Sequence, residues 1–158
     1  MDQIDDSMRN QIAALLRVAN FTRCFKEDNV PCKIEEGLFL GSVAAAYNMD
    51  ALKSLNITHI LTVASSVKPA HSNDFVYKII PAKRQGGGVL VHCFVGKSRS
   101  VTIVVSYLMK KHGMSVSQAL ELVKSKRPLA APNSGFIQQL QELERSLQAN
   151  QEQMKDNE

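Results

Sequence analysis

Five residues, Gly88-Val89-Leu90-Val91-His92, form an apolar run that stops at a cysteine, and a longer apolar segment resumes at Ser100 and continues to Lys111. The first has the length and bounding glycines of a buried strand and the second the length of a helix, so Cys93 to Arg99 must be the loop that turns one into the other. This junction constrains the chain more than any other stretch. A loop so short aims successive backbone amides at one point. It carries a cysteine at its start, a glycine at its middle and an arginine at its end.

Those amides, added to the unsatisfied donors and the positive dipole end of the following helix, make a site for a tetrahedral dianion. Phe94, Val95, Gly96, Lys97 and Ser98 are expected to line this phosphate cradle, with Gly96 relieving the backbone at the turn. Arg99 supplies a planar fork that grips two phosphate oxygens at once, which a lysine cannot do. It is the expected holder of transition-state charge. The same field favours an anion at Cys93, so its pKa is expected below the free value of about 8.5, leaving a thiolate at neutral pH. A thiolate in a phosphate cradle is poised for covalent phosphoryl transfer. Ser100 is placed to donate its hydroxyl to the sulfur when a phosphocysteine is hydrolysed, and His92 is expected to order the loop rather than shuttle protons.

Cysteine and arginine at this spacing would be a weak signal alone, because the chain has three cysteines and 19 basic residues. The conjunction with His92, Gly96, Ser98 and Ser100, between a strand and a helix, is what makes it specific. The plainer alternative is an inert cysteine at the end of a buried strand. A nucleotide-binding P-loop is excluded, since Gly96-Lys97-Ser98 mimics its end but the glycine required five positions earlier is Val91. A rhodanese-like sulfur carrier fits less well, because Arg99 and Ser100 suit oxyanion rather than persulfide chemistry.

The segment His92-Cys93-Phe94-Val95-Gly96-Lys97-Ser98-Arg99-Ser100 resembles the signature of the cysteine-dependent dual-specificity protein phosphatases. Ile34-Glu35-Glu36-Gly37-Leu38-Phe39-Leu40-Gly41-Ser42 looks like that family's opening strand, and Leu52 to Val63 like its helix and second strand. Arg127-Pro128 and Pro132-Asn133-Ser134-Gly135-Phe136, followed by Gln139-Leu140, match its closing segments. The resemblance covers about residues 33 to 147 and is nearest to plant members. It implies an α/β fold: a phosphatase-like central sheet of four to five mostly parallel strands flanked by helices. It also implies hydrolysis of phosphotyrosine and phosphoserine or phosphothreonine on proteins, a mitogen-activated protein kinase among them, without metal or cofactor. By the same resemblance Cys93 is the nucleophile, Arg99 the phosphate-binding arginine and Asn133, with His92, a loop-ordering residue.

The family carries a general-acid aspartate on a separate loop before the cysteine, then a helix leading into the signature strand. Here Phe75 to Ile80 reads as a strand, which leaves only Pro81 to Gly87 before Gly88, and no helix fits there. Between Asp50 and Glu121 the one carboxylate is Asp74, a fallback acid that precedes the strand where the family has an ordinary surface residue. One crossover helix and its acid loop are therefore expected to be absent. Seven extended residues reach about 24 Å, enough only for a bare link between parallel neighbours. Some apolar surface of Val89 and Val91 is then expected to be exposed or covered by another part of the chain. A positioned acid contributes roughly 10²–10⁴-fold when the leaving group is poor, so activity is expected to be weak on aryl phosphates and weaker still on phosphoserine or phosphothreonine.

With 158 residues, 44% hydrophobic and 22% charged, the chain is expected to be one soluble domain. A net charge of +4 suits acidic or phosphorylated protein partners, and no motif or aromatic platform argues for nucleic acid. No signal peptide or spanning run is visible. Three irregularly spaced cysteines read as reduced thiols of the cytoplasm or nucleus, with Cys24 and Cys32 inert or able to pair with Cys93 on oxidation. The expected organisation is a basic helical extension over 1–30, the phosphatase-like domain over 31–148 and a polar tail over 149–158. Ser115 to Lys126 and Asn133 to Leu147 read as amphipathic helices, the latter with Phe136, Leu140, Leu143 and Leu147 on its core stripe.

From Arg9 to Lys26 the extension has no acidic residue but carries Arg9, Arg17, Arg23 and Lys26 among Ile12, Leu15, Leu16, Val18, Phe21 and Phe25. Such a helix can pack on its own domain with its charges in solvent, or bind calmodulin or a membrane surface through residues 9–26. For the whole chain the rival to an enzyme is a phosphoprotein-binding module whose cradle captures phosphate without turning it over.

Overall fold

The computed structural model describes residues 6–63, 79 and 82–157, with the side chains of 20–25 excepted. Helix α1 (Asp6–Glu27) precedes a hairpin of β1 (Cys32–Glu35) and β2 (Leu38–Gly41). Two short helices, α2 (Val43–Tyr47) and α3 (Met49–Ser54), lead to β3 (Ile57–Thr62), and β4 (Gly88–His92) feeds α4 (Arg99–His112). Helices α5 (Val116–Lys126) and α6 (Ser134–Asp156) complete the fold. Among the described residues the strands form one four-stranded sheet in the order β1-β2-β4-β3, with β1 antiparallel to β2 and both β2 and β3 parallel to β4. This is the expected α/β architecture, but the single opening strand read over Ile34 to Ser42 is a hairpin, turned at Glu36 and Gly37.

Central β4 is buried at every residue, and α4 is buried from Ser100 to Met109, so both read as continuous apolar runs. The polar residues inside α4 are satisfied locally: Thr102 Oγ1 donates to the Ser98 carbonyl and Ser106 Oγ to that of Thr102, each at 2.8 Å. Capping follows the sequence. Ser115 and Gln118 form a reciprocal capping box on α5, and the Asn133 side chain accepts the Phe136 amide at the start of α6. On α6, Leu140 is buried while Ile137, Leu143 and Leu147 pack against the core; Ile137 takes the inward place expected of Phe136. The polar segment after 148 continues α6 to Asp156 as an exposed helix.

The link into β4 differs from expectation. Most of Phe75 to Ile80 lies outside the described residues, but Ile79 is helical, as are Ala82 to Arg84. The connection is therefore neither a strand at Ile79 nor a bare loop after it. Ile79 and Ala82 join the core beside Val89 and Val91, all four buried. A small cavity of about 140 Å³ remains between His59, Ile60, Leu61, Ile79, Ala82 and Val89. Lys83 fixes the helical turn: its Nζ lies 2.6 Å from Glu35 Oε1 and 3.2 Å from Tyr107 Oη, while His112 Nε2 holds the other Glu35 oxygen at 2.7 Å. Burial pushes the Glu35 carboxyl up, but the hydrogen bonds and charges of Lys83 and His112 outweigh it and hold the group below its ordinary value.

Helix α1 is exposed at every residue from 6 to 19. Met8, Ile12, Leu15, Leu16 and Val18 are 45–69% exposed. Its C-terminal end, by contrast, is tied down: Ser42 Oγ donates to the Asp28 carbonyl at 2.7 Å and Asn48 Nδ2 to that of Asn29 at 2.8 Å. Among the described residues no helix is long and apolar enough to cross a membrane.

Candidate active site

The loop from Cys93 to Ser98 leaves the carboxyl end of the central strand, where parallel sheets place their ligand sites. All six of its carbonyls are engaged. Cys93 O accepts from His92 Nδ1 at 3.1 Å, Phe94 O from the Val43 amide at 3.0 Å, and Val95 O from Arg127 Nη2 at 2.9 Å. Gly96 O accepts from Arg127 Nε at 2.7 Å, Lys97 O from the Ala131 amide at 2.8 Å, and Ser98 O from the Thr102 amide at 2.9 Å. A peptide group is planar and trans, so a carbonyl held outward turns its N–H the opposite way. The loop therefore presents a ring of inward donors. Gly96 makes the tightest part possible: its φ is +71°, and a Cβ there would lie 2.4 Å from the Gly41 carbonyl oxygen.

Cys93 sits in this ring, 4% exposed. Its Sγ lies 3.1 Å from Ser100 Oγ and accepts from the Gly96 amide at 3.3 Å. Burial pushes the Cys93 thiol up, yet the Ser100 hydroxyl and the amides of Ser100, Gly96 and Lys97 outweigh burial and hold it below its ordinary value. The N-terminus of α4 adds to the field. Ser98 occupies the N-cap without a side-chain capping bond, so the first-turn amides are left for an anion. Half-buried Arg99 opens the helix beside them.

The remaining expected residues fall around this centre. His92 is buried, its Nδ1 donating to the Cys93 carbonyl and its Nε2 2.8 Å from Thr62 Oγ1. Since a carbonyl only accepts, the proton sits on Nδ1 and Nε2 accepts from Thr62. Burial pushes the His92 pKa down, more than its bond to Cys93 raises it, so a neutral ring splints the strand to the loop. Phe94, Val95 and Lys97 are exposed at the rim. Asn133 reaches the loop through its backbone, its amide donating to Ser98 Oγ at 3.0 Å, while its side chain caps α6. Cys32 and Cys93 are free thiols. Asp74, the fallback acid, lies outside the described residues, as does the acid loop's expected position.

Sequence reasoning missed Arg127 as a site residue. It is 2% exposed, pairs with Asp28 through Nη1–Oδ1 at 3.0 Å and Nη2–Oδ2 at 2.6 Å, and also donates to Cys32 Sγ at 3.4 Å. Burial lowers its pKa, but the Asp28 and Cys32 bonds and charges raise it further, so the guanidinium stays charged. No local pattern joins two residues 99 positions apart. The one available signal was an arginine placed just before Pro128 at the end of a helix.

Residues 70–146 match the family described as dual specificity phosphatase, catalytic domain. The chain is 58% identical over 170 aligned positions to dual specificity protein phosphatase 1 of Arabidopsis thaliana, covering 94% of this chain and 86% of the relative. It is 39% identical over 141 positions to the MAP kinase phosphatase with leucine-rich repeats protein 3 of Dictyostelium discoideum, covering 75% of this chain and 16% of that protein. In three dimensions it resembles human DUSP28, with a TM-score of 0.70 and 31% identity over 75% of this chain and 95% of that one. Likeness of sequence and fold thus agrees with the loop's own chemistry, and the chain belongs to the plant-type dual-specificity protein phosphatases, cysteine-dependent enzymes of the protein tyrosine phosphatase superfamily.

Proposed function

We propose that the chain dephosphorylates phosphotyrosine and phosphoserine or phosphothreonine on proteins through a phosphocysteine intermediate, with little general-acid assistance. The observation that carries the chemistry is the Cys93 sulfur held by the Ser100 hydroxyl and the Gly96 amide, in a loop whose six carbonyls are all bonded to other partners. The thiolate attacks phosphorus; the P–S bond forms as the P–O bond to the substrate breaks. The amides and the Arg99 fork stabilise the equatorial oxygens throughout. Water then displaces the sulfur, and the Ser100 hydroxyl, 3.1 Å from Sγ, stabilises the departing thiolate.

The weak point is the leaving oxygen. A phenolate, with a pKa of about 10, can depart unaided, whereas a serine or threonine alkoxide needs a proton, and lacking a positioned donor costs roughly 10²–10⁴-fold. Two observations support the absence of the acid segment. Asp74 is the one carboxylate between Asp50 and Glu121, and the 170 positions aligned with the Arabidopsis relative draw on 94% of a 158-residue chain, so about twenty of them find no residue here. The expected substrate is a doubly phosphorylated mitogen-activated protein kinase loop, a reading supported by the name of the Dictyostelium relative, and the expected compartment is the cytoplasm or nucleus. Helix α1 is the proposed calmodulin-binding segment, supported by the exposed Met8, Ile12, Leu15 and Leu16 beside Arg9 and Arg17.

The same carboxylate scarcity favours a second reading, capture of phosphoprotein without turnover. Single-turnover phosphate release from an aryl phosphate and from a doubly phosphorylated kinase-loop peptide separates the two, with Cys93→Ser as the reference. An impaired enzyme releases phosphate from the aryl ester at least tenfold faster than from phosphothreonine and loses both with Cys93→Ser. Equal turnover on both substrates refutes the missing-acid reading; no release, with peptide affinity retained in Cys93→Ser, establishes the binding module. A calcium-dependent shift of peptide 8–28 on calmodulin tests the α1 assignment, and no shift refutes it.

A further inference from the structure

We infer that Asp28, the residue immediately after α1, is a positioning residue for the phosphate loop, acting through Arg127. This rests on the reading of Cys93 as nucleophile and adds to the site a residue remote from it in sequence. One side of Arg127 receives both oxygens of Asp28, at 3.0 and 2.6 Å, and its other donors hold the carbonyls of Gly96 and Val95, at 2.7 and 2.9 Å. Those carbonyls belong to the peptide groups whose N–H ends are Lys97 and Gly96. These are two of the amides that face the Cys93 sulfur. Arg127 thus grips the back of the very peptide groups that stabilise the thiolate at the front.

Asp28 determines whether Arg127 can do so. A buried guanidinium without a carboxylate is an uncompensated charge and turns toward water or another acceptor. Once its donors leave, the two peptide groups can rotate, and a rotated group presents a carbonyl oxygen to the anion where an N–H had been. Asp28 is itself immobilised by the bonds from Ser42 to its own carbonyl and from Asn48 to that of Asn29. The chain Ser42 to Asp28, Asp28 to Arg127, Arg127 to the loop is continuous at hydrogen-bond distance, and Asn48 secures the next residue, Asn29. Function therefore depends on a residue before the first strand.

The test uses the full chain and two readouts: the pH midpoint of iodoacetamide alkylation at Cys93, followed by mass spectrometry of its peptide, and the Kd of tungstate. Asp28→Asn keeps size but removes the charge; it is expected to raise the midpoint by about one pH unit and to weaken tungstate about tenfold. Asp28→Glu is expected to recover part of both. Arg127→Lys keeps the charge but cannot span a carboxylate and two carbonyls, so both readouts must move the same way. Leu140→Ala, a core truncation in α6, controls for lost stability and is expected to lower Tm with both readouts at wild-type values. Folded Asp28→Asn or Arg127→Lys protein with a wild-type midpoint and Kd overturns the proposal, whatever its Tm. A wild-type midpoint at the ordinary thiol value of about 8.5, with no tungstate binding, instead sinks the nucleophile reading and this one with it.

Discussion

Replacing Gly96 by alanine probes whether the loop is held as rigidly as its bonds imply. At φ +71° the new Cβ would stand 2.4 Å from the Gly41 oxygen, 2.6 Å from the Gly41 carbon and 2.7 Å from Arg127 Nη2. None of these can swing aside. Gly41 ends β2 in register with His92, and Arg127 is clamped by Asp28. The left-handed conformation itself costs an L-residue about 1–2 kcal/mol, and forcing packed backbone apart adds about 1–3 kcal/mol, so Gly96→Ala is expected to lose about 2–5 kcal/mol. Gly86 provides the control, because its φ is +83° but nothing lies within 4 Å of its Cβ position. Gly86→Ala should lose only the conformational part, about 1–2 kcal/mol. Urea unfolding gives both values, and tungstate titration reads the cradle, where displaced amides are expected to weaken binding. Equal stability losses in the two variants, with tungstate affinity retained in Gly96→Ala, would refute the close-approach argument.

Ser100→Ala removes a hydroxyl 3.1 Å from the sulfur; a charge-assisted bond of about 1.5–3 kcal/mol corresponds to a rise in the Cys93 alkylation midpoint of at least about one unit, and an unmoved midpoint contradicts the assignment. His92 has a depressed pKa in the folded state, so above the unfolded value of about 6.5 it leaves stability unchanged. As pH falls below that value the unfolded chain takes up the proton first and stability drops, levelling off only below the folded pKa. Urea midpoints at descending pH should show that loss, and His92→Asn should lack it; identical slopes would exclude a buried neutral ring. Ile79→Ala removes a fully buried side chain from the link beside Val89 and should cost about 2–4 kcal/mol in urea unfolding, whereas under about half a kcal/mol would mean the link does not cover the sheet.

Legibility in the sequence followed the range of the interactions. Strand β4 and the helices after it were readable because burial on both faces, amphipathic spacing and the caps at Ser115 and Asn133 are local patterns. The helical state of Ile79 was not, since an apolar pair such as Ile79-Ile80 fits a strand or a helix, and the packing of Ile79 beside Val89 draws on residues distant in the chain. Nor could the exposure of α1 be read, because an amphipathic basic helix looks the same whether its apolar face is covered or bare.

The reacting groups lie within eight consecutive residues, Cys93 to Ser100, so their identity and spacing alone determined a thiol nucleophile, a ring of amides and an arginine at the mouth of a helix. Whether that ring faces inward was decided elsewhere. Its outer carbonyls are held by Val43, Arg127 and Ala131, and Arg127 is set in turn by Asp28. Only the end carbonyls, those of Cys93 and Ser98, find partners nearby in the chain; the four between them are turned by residues remote in sequence, so the direction of the middle dipoles, and with it the charge on Cys93, belongs to the tertiary structure.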